Sequence, residues 1–140
     1  MIDGQADTNI HGRGETALNT LLDVYLRLLS IVFLIFTLGI WGLAVGLVGD
    51  PSMRFDTMTA EMRIYVAVLG VLNPVTSVGL WTTLSWGRVV WFMSIAFQLG
   101  FSISHPGIVG ELMLVIIFHA VCVAVYLIFQ ILLRRIANKE

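Results

Sequence analysis

Residues 79–91 read GLWTTLSWGRVVW and place a single arginine, Arg88, among three tryptophans. Long apolar stretches precede and follow this segment. Together they exceed the roughly 20 helical residues that one bilayer crossing needs. We therefore predict a chain reversal at Ser85-Trp86-Gly87. Gly87 supplies the conformational freedom of a turn, and the hydroxyl of Ser85 is suited to cap the helix that follows.

The tryptophans and arginines at the segment ends are suited to the membrane–water boundary. Indole rings favour the headgroup layer, and arginine can extend its charge from that layer into water. An arginine in the middle of one long buried helix would cost at least about 2.5 kcal/mol, which argues against a single uninterrupted crossing. The predicted interfacial anchors are Trp81, Trp86, Arg88, Trp91, Arg134 and Arg135.

The composition identifies lipid as the solvent for most of the chain. Of its 140 residues, 58% are hydrophobic and 12% are charged, whereas soluble domains are about 45–50% apolar and about 25% charged. A soluble fold of this size could not cover so much apolar surface. The net charge is −1, so no basic field indicates nucleic acid as a partner. The lipid bilayer itself is the predicted environment.

Four apolar segments predict an all-α membrane protein, a bundle of four transmembrane helices. The polar residues 1–15 predict a flexible cytoplasmic tail, and residues 16–140 form one membrane domain. The stretch just before the first apolar segment has helical spacing. It is either an interfacial turn or an extension of the first helix. The predicted helices cover about residues 18–48, 60–84, 88–104 and 109–136.

The distribution of Lys and Arg predicts the orientation of the helices. With the N-terminus in the cytoplasm, only Arg54 and Arg63 of the 8 Lys and Arg residues lie on the outer side. Cytoplasmic loops carry the excess of positive charge in membrane proteins. We therefore predict that both termini are cytoplasmic. The inner set comprises Arg13, Arg27, Arg88, Arg134, Arg135 and Lys139.

Three polar side chains inside the predicted helices are the candidate functional residues: Asn73, Gln98 and His119. Counted along the helices, all three lie at similar depth, so they form a predicted polar cluster. Pro74 leaves the carbonyl of Gly70 without its helical donor, and we expect Asn73 or a neighbour to bind it. The cluster is either a ligand or ion site or a set of interhelical hydrogen bonds worth about 0.6 kcal/mol each.

Other chemistries find little support in the sequence. A haem would need a second histidine at the depth of His119, whereas His11 lies in the tail and His105 in a loop. Copper(I) binding by loop methionines Met53, Met58 and Met62 lacks nearby Cys or His ligands. No acidic residue lies deep in a predicted helix, which disfavours proton-coupled transport. We therefore expect no enzymatic activity, no cofactor and no metal site.

Small residues at helical spacing predict helix packing. Gly39, Gly42 and Gly46 lie in the first predicted helix, and Ala120 and Ala124 lie in the fourth. Such residues allow helix backbones to approach closely in lipid. The approach is either between helices of this chain or between this chain and another protein.

The GLW…SWGRVVW stretch, in a chain of four short-looped helices, resembles segments of many small, uncharacterised bacterial inner-membrane proteins. The likeness covers thirteen residues. It implies a multi-pass protein of the bacterial inner membrane, and it transfers no functional residues.

For function, the sequence favours an accessory or scaffold subunit that binds a larger membrane protein complex. The predicted partner is another membrane protein or further copies of this chain in a homo-oligomer. The alternative is a small-molecule carrier or ligand-binding protein that uses Asn73, Gln98 and His119. A third hypothesis is a membrane sensor that uses residues 1–14.

Overall fold

The computed structural model describes residues 3–50, 54–105 and 112–138, with side chains described from Gly14 onward in the first helix. These residues form four helices and no strand, which confirms the prediction of an all-helical chain. The helices are α1 (Asp3–Ala44), α2 (Ala60–Trp81), α3 (Ser85–Ser104) and α4 (Leu112–Ala137).

Three of the described helices are long and apolar enough to cross a membrane. They are the part Gly14–Ala44 of α1, the whole of α2, and Met113–Ala137 of α4. Helix α3 has 20 residues, close to the minimum for a crossing, and it carries Arg88 and Gln98. Three helices of this length and composition identify the chain as a membrane protein.

The chain divides into two compact units. The terminal unit comprises Met1–Tyr25 and Ile117–Glu140, and the central unit comprises Leu26–Ile116. In the terminal unit, the hydroxyl of Tyr25 donates a hydrogen bond to the carbonyl of Cys122 at 2.7 Å. The ring of Tyr25 also lies 6.0 Å from that of Phe129. These two contacts join the first part of α1 to α4.

Several predicted boundaries were wrong. Helix α1 begins at Asp3, so residues assigned to a flexible tail are helical. It ends at Ala44 because Gly46, at φ +77°, leaves the helix in the left-handed region. Gly46 therefore lies in the turn after α1. Helix α4 begins at Leu112; the predicted start at residue 109 lies outside the described residues.

The start of helix α2 is capped by Thr59. Its hydroxyl accepts a hydrogen bond from the backbone N–H of Met62 at 3.4 Å. Glu61 lies in the first turn, where the helix dipole favours an anion. The chain re-enters a helix only at Ala60 because Thr59 satisfies a backbone donor there.

The reversal between α2 and α3 lies three residues earlier than predicted, at 82–84. Thr83 adopts φ 55°, a conformation that β-branched residues rarely occupy. Helix α3 then begins at Ser85, and Leu84 precedes it without a side-chain cap. Ser85-Trp86-Gly87 is therefore the first turn of α3, and the predicted serine cap is wrong.

Two glycines bring α2 and α3 into backbone contact. A Cβ atom added to Gly79 would lie 2.5 Å from the Cα of Gly87, and one added to Gly87 would collide with the backbone of Gly79. Gly87 thus serves a close approach between helices, a role other than the predicted turn. The approach starts directly at the reversal and sets the geometry of the hairpin.

Candidate functional site

Buried polar side chains of the central unit hydrogen-bond across its helices. The hydroxyl of Ser94 in α3 donates to Oδ1 of Asn73 in α2 at 3.0 Å. The hydroxyl of Ser77 in α2 donates to the carbonyl of Ser30 in α1 at 2.8 Å. Asn73 and Ser77 are four residues apart and so lie on one helix face. Part of the predicted polar cluster therefore consists of interhelical hydrogen bonds.

Asn73 and Gln98 also line a common groove of about 440 Å³, which we call the polar groove. Tyr65, Leu69 and Asn73 contribute one face of α2 to it, since they are spaced four residues apart. Helix α1 forms another wall, and Gln98 is the lining residue from α3. The complete lining is Ile35, Phe36, Gly39, Ile40, Tyr65, Leu69, Asn73 and Gln98.

Gln98 is a further polar residue in the lining of the polar groove. It is 7% exposed, and no described residue hydrogen-bonds to its amide. Asn73 differs, because its oxygen accepts from Ser94. The groove can therefore offer the amide of Gln98, beside that of Asn73, to a bound molecule.

A second cavity, the apolar pocket, lies at the end of α1. It has a volume of about 410 Å³, and the backbone N–H of Phe55 donates to the carbonyl of Ala44 at 3.0 Å beside it. This bond holds Phe55 over the end of α1. The lining residues are Ile40, Trp41, Ala44, Val45, Phe55, Val66, Ala67 and Val71.

Trp41 in the apolar pocket also compensates for the proline of α2. Its indole N–H donates to the carbonyl of Gly70 at 3.2 Å, which is the carbonyl that Pro74 leaves without a helical donor. The prediction that Asn73 or a neighbouring residue binds this carbonyl was wrong. The donor comes from α1, twenty-nine residues away in sequence.

The predicted interfacial anchors fall into two groups. Trp81 and Trp86 are exposed, and Arg88 is half-exposed. Trp91 is 0% exposed, because it faces the interior of the central unit, and it is therefore unsuited to contact headgroups. Arg27 lies over the ring of Trp81 at 5.9 Å, a cation–π contact. The remaining predicted anchors, Arg134 and Arg135, are exposed in the last turn of α4.

His119, the third residue of the predicted polar cluster, belongs to the terminal unit. It is buried, and its ring meets that of Phe118 edge-on at 5.1 Å. Asn73 and Gln98 are thus the two members of the cluster that share a cavity within one unit.

A Cβ atom added to the α1 glycines predicted for helix packing would meet no other helix within 4 Å. A Cβ atom on Gly39 would meet nothing within 4 Å, and one on Gly42 would contact Val48 of the following turn at 3.4 Å. The predicted partners in α4, Ala120 and Ala124, are exposed. The sequence analysis did not predict the backbone contact between Gly79 and Gly87. The presence of one glycine on each side of the reversal could have indicated it.

The residues considered for haem and copper include His105 and the methionines of the first loop. His105 stacks on Phe101 with ring centroids 4.5 Å apart. Met58 is buried and Met62 is half-buried, while Met53 and His11 lie among residues whose side chains are not described. In the described part of the chain, no group of three or more His, Cys, Asp or Glu residues is placed to hold a metal ion.

Comparison with known proteins identifies a family but no individual relative. No curated protein and no solved structure matches the chain. The profile of one family matches residues 20–137, a range that includes most of α1, all of α2 and α3, and all of α4. The chain therefore belongs to DUF6163, a family of unknown function.

Proposed function

We propose that the chain is a small accessory subunit of the bacterial inner membrane that binds a larger membrane protein complex. The apolar pocket is the observation that carries this proposal. It is a concave site of about 410 Å³ with a tryptophan and a phenylalanine in its lining. Bulky side chains that fill such pockets contribute most of the binding energy at protein interfaces.

The pocket favours a protein partner because of how helices associate in lipid. Without a hydrophobic driving force between helices, association depends on close van der Waals packing. A concave surface on α1 and α2 increases that packing for a partner helix that carries a protruding side chain. Most described residues outside the helices are confined to 45–50, 54–59 and 82–84. The helices therefore supply most of the described surface available for binding.

The orientation belongs to the same proposal. With both termini in the cytoplasm, the turn 82–84 lies on the cytoplasmic side and the loop with Phe55 lies outside. Single cysteines at Leu84 and at Phe55, in a Cys122→Ala background, test this orientation with a membrane-impermeant thiol reagent on intact cells. We expect labelling at position 55 and protection at position 84. The reverse pattern would contradict the orientation.

The accessory role is tested by purification at native expression. A tag on the chromosomal copy, extraction in mild detergent, and native gel electrophoresis with mass spectrometry should recover the chain with a larger membrane complex. Recovery only as a monomer or homodimer would contradict the proposal.

The second candidate function, a ligand-binding membrane protein, is favoured by one observation. Asn73 and Gln98 share the polar groove, and the amide of Gln98 has no hydrogen-bond partner among the described residues. The two functions use different cavities, so a ligand in the polar groove is compatible with a partner at the apolar pocket.

A further inference from the structure

We infer that the polar groove binds a lipophilic molecule with a flat ring that carries carbonyl oxygens, the chemistry of a bilayer quinone. This inference goes beyond the accessory role and does not depend on it, because it concerns a different cavity. Four properties of the groove support it: an unpaired buried amide, a second amide donor, aromatic lining and depth in the membrane.

The first property is the unpaired amide of Gln98. The residue is 7% exposed, and covering an amide without giving it a hydrogen bond is energetically costly. A hydrocarbon chain in the groove would leave that cost in place, since it has no donor or acceptor. A molecule with a carbonyl oxygen would accept the amide N–H and remove the cost.

The second property is the state of Asn73. Its oxygen accepts the hydroxyl of Ser94 at 3.0 Å, and its NH₂ group is a hydrogen-bond donor. Asn73 and Gln98 can therefore both donate to oxygens of a molecule in the groove. Two donors in one cavity favour a ligand with more than one acceptor oxygen.

The third property is the aromatic lining. Phe36 and Tyr65 both line the groove. The ring of Tyr65 is held by Phe101, at 4.9 Å, and by Phe97, at 6.3 Å. A ring fixed in this way is a preformed surface for another flat ring, because offset stacking is the favoured contact between such groups.

The fourth property is depth. Asn73 lies eight residues before Trp81, the exposed tryptophan at the end of α2, which is about 12 Å along a helix. It lies thirteen residues after Ala60, about 20 Å along the helix. Phospholipid ester groups lie in the interfacial layer outside the hydrocarbon core. A molecule that places carbonyl oxygens at Asn73 must therefore dissolve in the bilayer interior.

The size and opening of the groove fit such a ligand. Its volume of about 440 Å³ lies within the roughly 300–1,000 Å³ of small-molecule sites, which are largely apolar with a few polar groups. Gly39 lines the groove and is exposed, so the groove opens at the surface of α1. A hydrocarbon tail can leave through this opening into lipid.

The test is isothermal titration of the purified full-length chain in detergent with a decyl-substituted 1,4-benzoquinone. Decylbenzene, which lacks the carbonyl oxygens, is the comparison probe. We expect the quinone to bind wild type and Gln98→Leu to weaken its binding about tenfold, the upper range for one lost hydrogen bond. The matched control Gln130→Leu, in α4 outside the groove, should bind the quinone as wild type does.

A second pair of variants tests the groove without changing a polar group: one fills the groove and the other is its control. A Cβ atom on Gly39 or on Gly100 meets nothing within 4 Å, so a larger side chain starts in open space at both positions. Gly39→Leu places its side chain at the groove and should abolish quinone binding, whereas Gly100→Leu in α3 should leave it unchanged. This pair decides the question if Gln98→Leu fails to fold.

Three results would overturn the inference. One is equal binding of decylbenzene and the quinone, which would indicate a site for hydrocarbon chains. Another is unchanged quinone binding in folded Gln98→Leu or in Gly39→Leu. The third is no binding of the quinone to wild type. Because the isolated chain is titrated, none of these results bears on the accessory role.

Discussion

Helix α2 has two different neighbours within the central unit. Against α3, the backbones touch at Gly79 and Gly87, and Ser94 closes the contact by donating to Asn73. Against the second half of α1, the contact leaves the polar groove and the apolar pocket. One side of α2 is closed by backbone contact, while the other side contains two cavities.

This difference separates stability from binding. On the α3 side, the contact of Gly79 with Gly87 and the hydrogen bond of Ser94 to Asn73 leave no room for another molecule. These contacts therefore stabilise the hairpin of α2 and α3.

On the α1 side, Ser77 donates to the carbonyl of Ser30 and Trp41 donates to the carbonyl of Gly70. The two cavities on this side are large enough to accept a ligand or a partner side chain. Substitutions on the two sides should therefore have different consequences.

The largest effect is expected on the closed side. Gly87→Ala forces a Cβ atom against the backbone of Gly79, and we expect a loss of about 3 kcal/mol in the free energy of unfolding, the upper range for overpacking. The measurement is an SDS titration of the detergent-solubilised protein followed by tryptophan fluorescence. Gly100→Ala is the matched control, because open space surrounds that position.

The control should be unchanged or more stable, since alanine exceeds glycine in helix propensity by up to about 1 kcal/mol. Equal losses for Gly87→Ala and Gly100→Ala would show that the close approach of α2 and α3 does not stabilise the unit.

A smaller effect is expected on the open side, at Trp41. Trp41→Phe removes the hydrogen bond to the carbonyl of Gly70. In a Pro74→Ala background, the backbone N–H of residue 74 can donate to the carbonyl of Gly70. Trp41→Phe should therefore reduce the free energy of unfolding by less in that background. We expect a difference of about 0.6 kcal/mol between the two backgrounds, the average for interhelical hydrogen bonds in membranes. A double-mutant cycle in SDS titrations measures this difference. A coupling energy of zero would show that Trp41 does not compensate for the missing N–H of Pro74.

The sequence predicted the presence and approximate extent of the helices because their apolar lengths are set by the bilayer. Counting depth along the helices predicted a cluster of Asn73, Gln98 and His119, of which Asn73 and Gln98 line the polar groove. The sequence analysis failed where the answer depends on which helix face is buried. In lipid, both the lipid-facing and the protein-facing side of a helix are apolar, so periodicity does not distinguish them.

Trp91 and Trp41 illustrate this limit. Both are tryptophans near the ends of predicted helices, yet Trp91 is buried inside the central unit and Trp41 donates to α2 from α1. The contact of Gly79 with Gly87 depends on the crossing of two helices. No local pattern specifies that crossing.

The most direct test of the central claim compares two substitutions on α2 in purifications at native expression. Ala67 lines the apolar pocket, whereas Val78 is 59% exposed and lies outside both cavities. We predict that Ala67→Phe, which fills the pocket, recovers at most a tenth of the partner complex that wild type recovers, about 1.4 kcal/mol of binding energy, with unchanged SDS stability. Val78→Phe should retain the complex. Equal recovery by the two variants would contradict the account.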